Sequence, residues 1–85
     1  TSDKLDGVIV DVYKDFEAIK IKVKKDGKEE HYTVLVEDAR ITNTSGSSKR
    51  FSSLDEGDEV FIYGEKGSDI FDFDAETVII VKDNN

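Results

Sequence analysis

Lys20, Lys22 and Lys24 recur at every second position between Ile19, Ile21 and Val23, so in an extended chain three ammonium groups project from one face. Such a stripe can neutralise phosphates, and with aromatic platforms beside it could hold single-stranded nucleic acid. Tyr13, Phe61 and Tyr63 supply candidate rings, while His31 and Thr33 fall on the strand expected next to the stripe. The composition argues the other way. Twenty acids against twelve lysines and arginines leave a formal charge of −8, a field that repels polyanions. The ordinary reading pairs the lysines with Asp11 and Glu29 as a charged surface that keeps strands apart from other sheets. A nucleic-acid partner is thereby disfavoured. If the domain has a ligand, Lys20, Lys22, Lys24, His31, Thr33 and Tyr63 are the residues expected to touch it.

A second constellation is acidic. Asp72, Asp74 and Glu76 share one face of a strand, and carboxylates of this kind are hard ligands for Ca²⁺. The D-x-D-x-D-G loop of an EF-hand is absent, and residues two apart on a strand sit about 7 Å from each other, too far to share an ion unaided. A solvated acidic face is the expected state, and no metal or other cofactor is assigned.

His31 is the single histidine, and a hydrolytic triad would need it held by an acid within reach of a nucleophile. Its neighbours Lys22 and Glu30 mark an exposed strand position instead. The chain has no Cys, which removes thiol nucleophiles, disulfides and thiolate metal sites. Its glycines are dispersed one to a turn, so no phosphate loop is formed. No catalytic residue is assigned. Asn43-Thr44-Ser45 matches the N-glycosylation sequon, a three-residue pattern frequent by chance.

The elements that must position these residues are short and β-branched. Eighty-five residues make one domain, expected to span 7–81 between polar tails at 1–6 and 82–85. Val8, Val10 and Val12 alternate with Ile9, Asp11 and Tyr13 as strand one, with the valines inward. Ile19, Ile21 and Val23 form the inward face of strand two. Asp26-Gly27 supplies a two-residue hairpin turn, because both central residues of a type I′ turn need positive φ. That turn sets the register: Lys24 opposite Glu29, Lys22 opposite His31, Ile21 opposite Tyr32 and Ile19 opposite Val34. With Val12 opposite Ile19, Asp11 faces Lys20. Strand three runs over 31–37, and 38–50 reads as a mobile loop anchored by Ile41. Phe51 and Leu54 suit one short helical turn. Val60, Ile62 and Gly64 mark strand four, and the last strand runs from about Ile70 to Val81 with a bulge near Glu76-Thr77, where its alternation changes phase.

Five strands with a helical turn or loop between the third and fourth predict an all-β fold, a five-stranded OB-like Greek-key barrel, with an SH3-like barrel as the alternative. The phrases Gly7-Val-Ile-Val-Asp-Val12, Asp26-Gly27, Leu54-Asp-Glu-Gly57-Asp58-Glu-Val60-Phe-Ile62-Tyr-Gly64 and Ala75 followed by Val78-Ile-Ile-Val81 together resemble small OB-like β-barrel modules of bacterial exported and cell-wall proteins. The resemblance implies a non-catalytic module of a larger exported or cell-surface protein, acting as a spacer or as a contact for protein or glycan. A start at Thr1 rather than Met fits an excised or processed piece. The expected domain is monomeric and extracytoplasmic. No apolar run approaches the ~18 residues of a membrane-spanning helix, so no membrane insertion is expected.

Overall fold

The computed structural model describes residues 3–83. Seven strands follow one another: β1 (Asp3–Tyr13), β2 (Ala18–Lys25), β3 (Lys28–Leu35), β4 (Arg40–Asn43), β5 (Ser48–Lys49), β6 (Glu59–Lys66) and β7 (Phe73–Lys82). A three-residue 3₁₀ turn, Phe51–Ser53, precedes β6. The sheet order is β3-β2-β1-β6-β7-β4-β5, and β3 also pairs with β7. That last pairing is parallel, Val34 opposite Phe73 and Leu35 opposite Asp74, and it joins the five long strands into a ring-like arrangement.

Local sequence accounts for the first hairpins. Ile19, Ile21 and Val23 are buried while Lys20, Lys22 and Lys24 point outward, so β2 has the clean alternation of a half-buried strand. Asp26 (φ 53°) and Gly27 (φ 79°) both take positive φ, which lets two residues reverse the chain with the strands' own twist. The resulting register is the one the turn dictates, from Lys25 opposite Lys28 to Ala18 opposite Leu35, and on the other side of β2 Asp11 faces Lys20.

Three irregularities bend the ring, one of them at the end of β7, where Lys82 opposes Glu59 and Ile80 opposes Val60 so that Val81 is skipped. In β7, Thr77 opposes Tyr63 while Ala75 opposes Gly64, so Glu76 is the extra residue, at the predicted change of phase. In β1, Ile9 opposes Ile21 while Asp11 opposes Lys20, so Val10 is extra. This corrects the inward assignment of the valines. Ile9 is buried in the core, Val12 packs against it only after the bulge has reset the phase, and Val8 and Val10 are half-exposed. A period-2 count cannot see a residue that the pleat skips.

Three further expectations change. Residues 3–6 are not a tail: Asp3 to Val8 pair continuously with β6, from Asp3 opposite Gly64 to Val8 opposite Glu59. Residues 1–2 and 84–85, the outer parts of the expected tails, lie outside the described residues, and Lys82 is the last residue of β7. Nor is 38–50 a plain loop. Arg40 to Asn43 run parallel to Thr77 to Ile80, which buries Ile41 opposite Val78, and Asn43 then turns the chain into β5. The Asn43 Oδ1 accepts from the N–H of Ser45 (3.1 Å), the Ser45 hydroxyl (2.8 Å) and the N–H of Ser47 (3.0 Å), an Asx-type turn assembled from side chains. Seven strands thus stand where five were expected, the two extra ones being short.

The core is Ile9, Ile19, Ile21, Val34, Val60, Ile62 and Val78 with Val36, Ile41, Leu54 and Phe73 around them. Leu54 seals one side from the 3₁₀ turn, with Phe51 packed at its margin.

Two substitutions test this architecture. A Cβ on Gly64 would lie 2.2 Å from the Asp74 carbonyl oxygen and 2.9 Å from the Ala75 Cα, so the bulge closes only over glycine. Gly64→Ala should lower unfolding free energy by about 1–3 kcal/mol in urea titrations, as overpacking does. Stability within about 0.5 kcal/mol of the parent would show slack at the bulge. Ile41→Ala should cost about 2–5 kcal/mol by the same measurement, the range of a core truncation. A cost near zero would return 38–50 to a loop.

Candidate functional site

The outer face of β2 and β3 gathers most of the expected ligand-contacting residues. Lys20 sits opposite Thr33, Lys22 opposite His31 and Lys24 opposite Glu29, so these side chains occupy adjacent sites on one surface. Asp11 and Val8 of β1 continue it beside Lys20 and Lys22. Tyr63 is elsewhere. It lies on β6, across β1 from the stripe, and pairs with Lys4 and Thr77. The Lys4 Nζ is 4.1 Å from the centroid of Phe61 and 5.9 Å from that of Tyr63, a cation–π contact that engages both rings within the domain.

The aromatic groups that do reach this end of the sheet come from two loops. The β1–β2 turn carries Phe16, and its geometry follows from Glu17 at φ 50° and from the Val36 N–H donating to the Glu17 carbonyl at 2.9 Å. The β6–β7 loop carries Ile70 and Phe71. It folds back on itself through Gly67 N–H to Asp72 O (3.1 Å) and Phe71 N–H to Ser68 O (3.2 Å), with Asp69 at φ 59°. The two rings meet edge to face, centroids 6.4 Å apart at 68°. Phe16 remains 57% exposed and Ile70 70% exposed, the large apolar side chains most open to water among the described residues.

Asp72 ties this loop to the sheet. Its carboxylate accepts the Thr33 N–H at 2.9 Å, and its own N–H donates to the Thr33 carbonyl at 2.8 Å. A reciprocal pair of this kind extends the β3–β7 ladder by one residue and places Phe71 at the end of the Lys20–Thr33 row.

The acidic residues sort differently from the sequence expectation. Asp72 serves Thr33, while Asp74 and Glu76 stand exposed along β7. Among the described residues the carboxylates that converge are instead Asp55, Asp58 and Asp83, with one oxygen from each within 4.8 Å of the others. Asp58 is fully buried; its Oδ2 accepts the Asp55 N–H at 3.0 Å and its N–H donates to the Asp55 carbonyl at 3.2 Å, which closes the turn around Gly57. That turn is pinned to β1 by Ile9 N–H to Asp58 O and Gly57 N–H to Ile9 O. Ca²⁺ takes roughly six to eight oxygen ligands, so the three carboxylates would form part of a coordination sphere. Of the three, the Asp58 carboxylate already holds the turn through the Asp55 N–H.

The sequence reading missed Phe16, Ile70 and Phe71. For Phe16 the signal was an apolar residue inside a turn, whereas Ile70 and Phe71 were hidden by the expectation that the last strand begins near Ile70, when it begins at Phe73. No protein-family model, curated protein or solved structure matches the chain. Among the described residues no helix is long and apolar enough to cross a membrane.

Asp72→Ala removes one charge-assisted bond from an exposed site and should cost about 1 kcal/mol in urea. It should also free the loop, seen as loss of nuclear Overhauser contacts between the Phe16 and Phe71 rings. Retention of those contacts with unchanged stability would show that the rings, rather than Asp72, hold the loop.

Proposed function

We propose that the chain is a non-catalytic OB-like β-barrel module that contacts a protein or glycan through the outer face of β2 and β3 and the two loops meeting at its end. Taking the five long strands alone, the first pairs with the second and fourth, and the third pairs in parallel with the fifth, which pairs with the fourth. This circuit, with the short hairpin and 3₁₀ turn inserted between the third and fourth, favours the OB-like reading over the SH3-like one. In such folds the face of strands two and three and the loops flanking it are where oligonucleotides and oligosaccharides bind.

The observation that carries the proposal is the exposed Phe16, in edge-to-face contact with the half-buried Phe71, on a loop that also exposes Ile70 and that Asp72 ties to Thr33 in the Lys20–Thr33 row. Apolar patches rimmed by polar groups mark interaction sites. The aromatic faces suit sugar rings or apolar side chains, and the lysines and His31 offer hydrogen-bond donors around them. The similarity of its turns to those of exported modules extends the same reading to a place in a larger exported or cell-surface protein.

The test is a titration of the ¹⁵N-labelled chain with a panel of neutral and acidic oligosaccharides and of peptides, alongside a thymidine oligomer at about 50 mM salt, where weak phosphate contacts register. Shifts should cluster on Phe16, Lys20, Thr33 and Phe71 with a sugar or peptide. Phe16→Ser should abolish them while changing stability by no more than about 0.5 kcal/mol, as expected for an exposed side chain. Salt-sensitive oligonucleotide binding that survives Phe16→Ser would overturn the reading in favour of a nucleic-acid module.

A further inference from the structure

The pairing of β1 with its two neighbours is staggered. Asp3 to Val8 pair with β6, and only from Val8 onward does β1 pair with β2. On the other strand, β2 pairs with β3 along its whole length but with β1 only over Ala18 to Lys22. Beyond the Val8–Lys22 pair the two strands therefore diverge. Gly7 stands at the apex, where a Cβ would lie 2.5 Å from the Lys22 carbonyl oxygen. The space between the diverging strands is an open cleft of about 540 Å³.

Two strand edges face this cleft. In an antiparallel ladder alternate residues direct N–H and C=O to opposite sides, so a strand paired on one side presents the remaining groups to the other. Among the described residues no strand pairs with the cleft-facing edge of 3–7 or with that of 23–25. Such edges are templates for adding a strand.

The walls define what would fit. Leu5 and Tyr32 line the inner side and are packed against the core from their half-buried positions. Lys4, Lys22, Lys24 and Lys25 rim the cleft, against the two acids Asp6 and Glu59. A chain of formal charge −8 thus concentrates a third of its twelve basic residues around one opening. We propose that this cleft binds an extended acidic peptide by strand addition to the 3–7 edge, with alternate acidic side chains toward the lysines and the intervening apolar ones toward Leu5 and Tyr32. The proposal deepens the module reading by naming a partner chemistry, and it shares Lys22 and Lys24 with the face described above.

The probe is a fluorescein-labelled peptide of alternating Glu and Val, six residues long, titrated with the full chain by anisotropy at about 50 mM salt. Binding should saturate, and slow hydrogen exchange should appear at amides of residues 3–7. A Lys22→Glu/Lys24→Glu variant should bind at least about tenfold more weakly, since charge reversal opposes the acids directly. These lysines lie on the outer face of β2, and circular dichroism is the check that the variant folds. The same peptide N-methylated at alternate positions leaves the protein untouched and should also lose about tenfold or more by removing its ladder donors. Equal binding of the N-methylated peptide, or of hexaglutamate, would overturn strand addition in favour of bare charge attraction. No binding of the alternating peptide would overturn it as well. Shifts at Phe16 and Phe71 with a sugar or another peptide would in that case leave the module reading standing, and their absence would remove both.

Discussion

The parallel pairing of β3 with β7 is the contact on which the rest depends. Every other neighbour relation among the long strands is antiparallel. This one joins Val34 to Phe73 and Thr33 to Asp72, residues 39 apart in the chain in the latter case. The entropy of closing so long a loop rises only logarithmically with its length, so two buried side chains and a few ladder bonds suffice to offset the extra cost. Without it β3 would be a free edge, and Val34, now fully buried, would face water.

Closure also explains the arrangement of the surface. Bending a sheet back on itself requires local breaks in the pleat, and the extra residues at Val10, Glu76 and Val81 supply them. The bend brings the β1–β2 turn and the β6–β7 loop to the same end, where Phe16 and Phe71 touch. It also forces β1 to serve two neighbours in succession, which opens the cleft behind Gly7. The Phe16–Phe71 contact and the lysine-rimmed cleft are therefore two consequences of one geometric requirement.

What could be read in the residues was local. The Asp26-Gly27 turn carried the register of β2 and β3 residue by residue, because a two-residue loop leaves no freedom in which partners meet. The phase change in the last strand pointed to the bulge at Glu76 because apolar residues occur on both sides of it. What was not legible depends on partners distant in sequence. Arg40-Ile41-Thr42-Asn43 has a single apolar side chain, and its strand character comes from lying against β7. The inward turn of Ile9 is hidden by equally apolar valines on either side. Of the expected ligand-contacting residues, the five on β2 and β3 share a surface because the hairpin register requires it, whereas Tyr63 is placed on β6 by the order of strands around the ring. The convergence of Asp55, Asp58 and Asp83 arises the same way, from the end of β7 returning to the turn before β6.

The closure itself is open to direct measurement by amide hydrogen exchange and nuclear Overhauser contacts on the unmodified chain. If β3 and β7 hold the ring shut, the Thr33 and Asp72 amides should exchange about as slowly as those of the central strand β2, and the side chains of Val34 and Phe73 should show mutual contacts. Exchange at Thr33 and Asp72 as fast as in an exposed turn, with no contact between Val34 and Phe73, would contradict the account at its root.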